Sequence, residues 1–458
     1  MQTLTTEKLL IANRGEIACR IMRTCRLLGL PTVAIYSEAD RDSLHVEMAD
    51  ETVEVGPAQV RQSYANPEAI LSAARQTGAT AVHPGYGFLS ESSEFAQTVL
   101  NADLRWVGPT PQSIAEMGDK ERARIIASGS GVPTLPGSTR FVEGDLSGLR
   151  QAAAAVGYPL LVKASAGGGG IGMQRVDEEE QLESLVASTQ SMVGKAFGDS
   201  SVYLERYVAS ARHIEVQVFG YGDGSGVHLY DRDCSIQRRF QKIVEEAPAP
   251  NVPDSVREAM RDAAMALVRR QHYRGAGTVE FIYDNHRAEA YFLEMNTRIQ
   301  VEHPVTEMVT GVDLVAWQLL LTFDLLAPVS QSTIKLRGHA VEGRLYAERP
   351  DKNFMPAPGV ISHLRWPIES CAMRIDTGVR AGDRVTPYYD PLIAKMIAYG
   401  VDRDTAIARL AKGLSELDIG GISTNASFLG RAVTDPAFAT GSISTGFVND
   451  LVSRRGVS

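Results

Sequence analysis

Cysteine is scarce: four in 458 residues, Cys19, Cys25, Cys234 and Cys371, with no CxxC pair and no metal-ligand spacing. That excludes a disulfide framework and a thiolate metal site, so free thiols in a reducing compartment are expected, with the cytoplasm as the default location. Cationic charge is in deficit too, 46 Lys plus Arg against 55 Asp plus Glu, for a net charge of -9. Such a chain has no general attraction to nucleic acid or anionic lipid, and an anionic ligand needs a local basic pocket. Long apolar runs are missing: Lys8 to Ala12 and Val315 to Phe323 fall well short of the roughly 18 residues that cross a bilayer. The polar start, Met1 to Lys8, carries no apolar signal core, so no secretory signal is expected. Internal repeats and low-complexity tracts are also absent.

What is present is an ordinary globular composition, 44% apolar and 22% charged, in a chain long enough for about three domains. Leu9 to Ala12 reads as a strand, Arg14 to Leu28 as a helix ending at Gly29, and Thr32 to Tyr36 and Thr80 to His83 as further strands, predicting a parallel α/β sheet. One helix is predicted from Ile114 to Ser128 between turn clusters. Next come a helix at Leu149 to Val156, a strand at Pro159 to Ala164, a glycine loop, a strand at Met173 to Val176 and a helix from Glu178, together a small lid. Near the end, Ile407, Leu410, Leu414 and Leu417 recur at helical spacing behind Asp404, a predicted N-cap.

Three clusters carry chemistry. Lys163 precedes the loop Gly167, Gly168, Gly169, Gly170, Ile171, Gly172. The loop runs strand to strand and lacks a following GK[ST], so it is neither a dinucleotide fingerprint nor a Walker A loop. It can fold backbone N–H groups over phosphates, with Lys163 adding charge; a flexible surface hairpin is the alternative. Second, Thr278 to Tyr283 and Ala290 to Asn296 read as antiparallel strands. If the chain stays extended, Glu294, Asn296, Arg298, Gln300 and Glu302 share one face. With Glu280 across the hairpin, paired carboxylates plus an amide suit Mg²⁺; a solvated face with incidental ion pairs is the alternative. Third, Asp231 to Lys242 is rich in cations and could hold a small anion, although an exposed charged loop is favoured on this stretch alone.

Taken with Asn13 to Ala18, His83 to Glu91, Met117 to Lys120, Arg238 to Lys242, Glu245 to Pro248, Arg274 to Thr278 and the run Glu294 to Glu307, these segments resemble, in order, the biotin carboxylase branch of the ATP-grasp superfamily. The resemblance covers about residues 8 to 430. It implies a mixed α/β and α+β chain: an N-terminal Rossmann-like pre-ATP-grasp domain (1–118), a lid subdomain with linker (119–207), an ATP-grasp core (208–335) and a C-terminal mixed α+β domain (336–445). It also implies ATP, Mg²⁺ or Mn²⁺, bicarbonate and carrier-bound biotin as ligands. A biotin carboxyl carrier protein and a carboxyltransferase subunit are the implied partners, with a homodimer, no nucleic acid and no membrane.

The resemblance assigns roles residue by residue. Lys120 and Lys163 match phosphate contacts, and Gly167 to Gly170 match the lid loop. Glu205, Arg206 and Val208 lie in the adenine segment, and His213 and Gln237 around the nucleotide. Glu280 and Glu294, with Asn296 close by, match Mg²⁺ ligands. Lys242, Arg298, Gln300 and the backbone of Val301 match the bicarbonate pocket, and Glu302 its general base. Arg344 matches the arginine facing the biotin ureido oxygen, with Tyr86 close to biotin. Departures occur at Ala166, Ile171, Phe240 and Arg349, where the family often has Gly, Arg, His and an acid. Carboxylation of biotin through carboxyphosphate, as the first half-reaction of an acyl-CoA carboxylase of the acetyl-CoA type, is the implied activity. Another ATP-grasp ligase, a carbamoyl-phosphate-forming enzyme or a non-catalytic nucleotide-binding paralogue are the alternatives. The nearest approach to a biotin-acceptor sequence, Ile393 to Met396, lacks the Met before Lys395 and lies in an apolar run, so biotin is expected on a separate carrier.

Overall fold

The computed structural model describes residues 4–165 and 172–454. Its first unit is a parallel sheet of β1 (Leu9–Ile11), β2 (Thr32–Ser37), β3 (Glu51–Gly56), β4 (Ala81–His83) and β5 (Arg105–Trp106), in the order β3-β2-β1-β4-β5. Leu9, Leu10 and Ile11 are all buried because a parallel sheet is covered on both faces. Helix α1 (Gly15–Leu28) presents Ile17, Ala18, Ile21, Met22 and Cys25 inward, and Gly29 closes it in the left-handed region at φ 65°. The helix predicted over Ile114 to Ser128 is instead two, Pro111–Gly118 and Lys120–Gly129. Asp119 divides them: its extended backbone ends the first, and its carboxylate accepts the Arg122 N–H to cap the second.

The lid packs the helices Leu149–Val156 and Glu179–Phe197 on a sheet of β6 (Leu160–Ala164), β7 (Met173–Val176) and β8 (Val202–Arg206), ordered β7-β6-β8. It has its own core, including Leu149, Leu160, Val162, Leu182 and Leu204. The glycine loop between β6 and β7, with Gly167 to Gly170, Ala166 and Ile171, lies outside the described residues.

The centre is built on β9 (Ala211–Tyr221), β10 (Gly226–Arg238), β11 (Gln241–Ala247), β12 (Arg274–Asp284), β13 (Glu289–Asn296) and β14 (His339–Tyr346). Three short ribbons follow. They pair β15 (Glu348–Arg349) with β16 (Met355–Pro356), β17 (Gly359–Val360) with β20 (Arg384–Val385), and β18 (His363–Arg365) with β22 (Asp418–Gly420). With β19 (Met373–Thr377) and β21 (Leu392–Gly400), the long strands make one eight-stranded antiparallel sheet, β13-β12-β9-β10-β11-β14-β21-β19, continuous across residues 335 and 336.

Three expectations change here. The chain does not stay extended past Asn296: residues 297–302 form a turn before the helix His303–Thr310, so strand parity does not explain how Arg298, Gln300 and Glu302 are aimed. The stretch Asp231 to Lys242 is no exposed loop. It belongs to β10 and β11, with Asp231, Arg232, Asp233, Cys234 and Gln237 buried and Arg239 and Phe240 exposed at the hairpin tip. The N-cap of the helix Arg403–Glu416 is Asp402, which accepts the Thr405 N–H, and not Asp404.

On β14 and β21, Val341, Met396 and Ala398 face an apolar core with Leu410 and Leu429. The opposite parity carries Glu342, Arg344 and Lys395, all buried. Charged residues on a buried sheet face need partners, and those of Arg344 and Lys395 lead to the site, whereas the Glu342 side chain has no hydrogen-bond partner among the described residues and burial pushes its carboxyl well above the ordinary value.

Candidate active site

The turn 297–302 and strands β9, β11, β12, β13 and β14 bring Lys242, Glu280, Glu294, Asn296, Arg298, Gln300, Glu302 and Arg344 together, while the lid residues and Tyr86 lie on other elements. Lys242 on β11 is the hub: its Nζ donates to Glu215 (2.7 Å), Glu280 (2.8 Å) and Glu302 (2.7 Å). Burial alone would favour its neutral form, but the three carboxylates outweigh burial and hold it well above the ordinary lysine value. Glu302 accepts from Lys242 on Oε1 and from the Arg344 guanidinium on Oε2 (2.9 Å). Burial would raise its carboxyl, yet Lys242, Arg344 and Arg232 hold it well below the usual range. Arg344 is oriented in turn by Glu245 at 2.6 Å.

Glu280 lies directly across the β12–β13 ladder from Glu294. It accepts from Asn296 (2.8 Å) and Gln300 (2.9 Å), and faces His213 at 2.8 Å. Burial pushes the Glu294 carboxyl up and the charge of Glu280 pushes it further, with Lys120 among the cations opposing them. Two carboxylates opposed in this way, with an amide beside them, suit a divalent cation, which would relieve their repulsion. His213 is raised despite burial because Glu280 faces it, and its Nδ1 lies 2.8 Å from Gln237. Arg298 donates to Asn296 (2.9 Å) and reaches Glu91 of the His83 to Glu91 block at 3.0 Å.

On the lid side, Lys163 pairs with Glu205 at 2.8 Å, tying β6 to β8, while Arg206 ends β8 and Val208 lies just beyond it. Lys120 opens its helix and lines a small cavity with Arg124, Arg140, Ser165 and Tyr203. Tyr86 is held through its carbonyl by Asn13 at 2.7 Å, and the carbonyl of Val301 accepts from Lys395 at 2.8 Å.

Sequence reasoning passed over the layer beneath. Arg232 is fully buried and donates to Glu215, Gln217 (2.7 Å), Thr306 (2.9 Å), Thr278 (3.2 Å) and Gln300 (3.0 Å). It therefore fixes both the turn and Glu215, as Glu245 fixes Arg344. The signal was present in β9, where Glu215 and Gln217 alternate with Ile214, Val216 and Val218. Polar residues of one parity in an otherwise apolar strand point at a polar interior.

The family description "Biotin carboxylase, N-terminal domain" matches residues 5–114, "Carbamoyl-phosphate synthase L chain, ATP binding domain" 119–325, and "Biotin carboxylase C-terminal domain" 342–450. The mitochondrial methylcrotonoyl-CoA carboxylase subunit alpha of Oryza sativa subsp. japonica is 49% identical over 452 residues, 98% of this chain and 61% of that one; the chain thus spans about three fifths of the relative's length. Biotin carboxylase 1 of Bacillus subtilis is 46% identical, over 96% of this chain and 98% of that one. Among solved structures, the Campylobacter jejuni biotin carboxylase complex superposes with a TM-score of 0.92 at 39% identity, covering 97% and 98% of the two chains. The biotin carboxylase domain dimer of Hydrogenobacter thermophilus 2-oxoglutarate carboxylase, in complex with MgADP and bicarbonate, gives 0.91 at 41% identity and 97% coverage of each. With the Bacillus, Campylobacter and Hydrogenobacter biotin carboxylases, sequence identity or superposition covers 96–98% of both chains, and on that ground the chain belongs to the biotin carboxylase family.

Proposed function

We propose that the protein carboxylates biotin at the expense of ATP, using bicarbonate as carbon donor. The supporting observation is the convergence on Glu302 of Lys242 and Arg344, beside a carboxylate pair at Glu280 and Glu294. Glu280, Glu294 and Asn296 are the residues that would hold Mg²⁺, which supplies charge neutralisation for the nucleotide's phosphates. Lys120, Lys163 and Gly167 to Gly170 are assigned to the phosphates. Glu205, Arg206, Val208, His213 and Gln237 are assigned around the nucleotide.

At rest Glu302 is saturated with cations and is a weak base. Bicarbonate arriving beside Lys242, Arg298, Gln300 and the Val301 backbone competes for those cations and frees the carboxylate to take its proton. The bicarbonate oxygen then bonds to the γ-phosphorus as the bond to the β–γ bridging oxygen breaks, giving ADP and carboxyphosphate. Breakdown of carboxyphosphate yields CO₂ and a phosphate that removes the biotin N1′ proton, while Arg344 stabilises the negative charge that develops on the ureido oxygen. Tyr86 borders the biotin side.

The biotin donor is proposed to be a separate carrier protein, supported by the burial of Lys395. The carboxyl acceptor, through a carboxyltransferase partner, is proposed as an acyl-CoA, on the strength of the methylcrotonoyl-CoA carboxylase relatives. Acetyl-CoA, and with it fatty acid synthesis, is the narrower reading carried by the sequence resemblance. A homodimer is proposed because the Hydrogenobacter domain is described as one. The buried, unpaired Cys19, Cys25 and Cys234 favour a reducing compartment.

The test is ADP release that requires Mg²⁺ and bicarbonate and is stimulated by free biotin. Glu302→Gln should still bind nucleotide while turnover falls by about 10² or more; undiminished turnover overturns the assignment.

A further inference from the structure

Lys395 has no part in the chemistry above, yet it is fully buried in β21 where the 297–302 turn, α1, β19 and the Tyr86 loop meet. Its Nζ donates to the carbonyl of Val301 at 2.8 Å, stands 3.2 Å from Glu16 on α1 and 3.8 Å from Asp376 on β19, and lies 6.0 Å from the centre of the Tyr86 ring. Glu16 and Asp376 are themselves buried. Close packing enforces the arrangement: a Cβ on Gly378 would meet the Glu16 nitrogen at 2.4 Å, so glycine there lets the chain beyond β19 lie directly on the start of α1.

Both peptide planes flanking the Val301 Cα are pinned. The carbonyl of Gln300 accepts from His303 Nδ1 at 2.7 Å, and that of Val301 accepts from Lys395. The Val301 N–H, part of the bicarbonate pocket in the reading above, shares its plane with the Gln300 carbonyl held by His303, and Lys395 fixes the next plane, which carries the chain into Glu302; the turn is thus held from outside the pocket. A neutral donor could hold a carbonyl at less desolvation cost than a buried ammonium with two carboxylates. The ammonium adds something a neutral group does not: positive charge directly behind the turn that receives an anion, shared with the ring of Tyr86 on the biotin side.

We propose that Lys395 is a positioning residue for the 297–302 turn, setting the affinity of that turn for bicarbonate and linking it to the Tyr86 loop and to Glu16 of the N-terminal unit. The proposal rests on the functional reading above for the identity of the anion.

Lys395→Met should raise the KM for bicarbonate about tenfold or more while the KM for MgATP moves less than about twofold, since a small misplacement of a binding turn is costly to that ligand alone. Because the single change leaves Glu16 without its nearest cation, while Asp376 keeps Arg23 and Arg374 at 2.7 Å, the double variant Lys395→Met/Glu16→Gln is measured alongside it. Its thermal midpoint should recover toward wild type while the bicarbonate KM does not. Hydrogen exchange of the peptide covering 297–302 in the ligand-free full chain should be accelerated in the double variant, with 274–284 unchanged. A folded double variant with wild-type bicarbonate KM and wild-type exchange over 297–302 overturns the proposal, as do equal rises in both KM values. Wild-type protein whose ATP cleavage ignores bicarbonate would overturn the functional reading instead; faster exchange in the double variant would still support positioning, and unchanged exchange would still refute it.

Discussion

Glu302 accepts from two cations at once, and that sets what it can do before substrate arrives. A carboxylate held well below its ordinary range stays ionised across the working pH range, so Glu302 itself contributes no ionisation near neutrality. Glu245 behind Arg344 differs: burial raises it, Arg344 opposes, Glu302 raises it again, and it ends at about 7. An acid whose folded value lies above its ordinary 4.5 binds more protons folded than unfolded between those values, so stability falls as pH rises through that window. Glu245→Gln removes this slope. The thermal-midpoint advantage of wild type over the variant should accordingly shrink between about pH 5 and about pH 8, and a gap constant with pH would refute the assignment.

At the scale of elements, the site is made by close approaches that side-chain patterning does not report. Gly378 is the clearest: its bare Cα lets the chain after β19 rest on Gly15 and Glu16. Gly378→Ala should force the two apart at a cost of about 1–3 kcal/mol, and the Lys395 to Glu16 pair should loosen with them. Equilibrium denaturation checks the first effect, and the bicarbonate KM the second; a stability change below about 0.5 kcal/mol would show that the contact yields freely. Periodicity located strands of the first unit, the lid elements and, at the site itself, β12 and β13, because apolar residues at period 2 or 3.6 report burial directly; it did not place β9, β11, β14 or the helix His303–Thr310, whose faces carry buried polar residues that blur the pattern. It failed at Asp119, where one capping carboxylate breaks a continuous helical pattern, and at 297–302, where alternating polar residues look like a strand but form a turn held by Arg232 and Lys395.

For the molecule as a whole, the eight-stranded sheet matters more than any boundary drawn along the chain. Strands β14, β21 and β19 continue the sheet from β11, and Ile236, Ile243 and Val244 share one apolar core with Met396, Leu410 and Leu429. A fragment ending at residue 335 would expose the edge of β11 and strip that core. It should show no cooperative thermal transition and should aggregate, where the full chain should unfold cooperatively; a cooperatively folding 1–335 fragment would contradict this.

From sequence alone, the glycine loop, the paired acids around 280 and 294, and the ordered motifs that resemble biotin carboxylases were all legible, since each depends on residue type at short range. The partners were not. That Lys242 meets Glu215, Glu280 and Glu302 together, that Arg344 is aimed by Glu245, and that Lys395 reaches Val301 from another part of the chain depend on strand register across the sheet. Residues 215 and 302, or 301 and 395, share no local pattern. Only the folded sheet brings such charges out of water together, where each must find a partner or lose its charge.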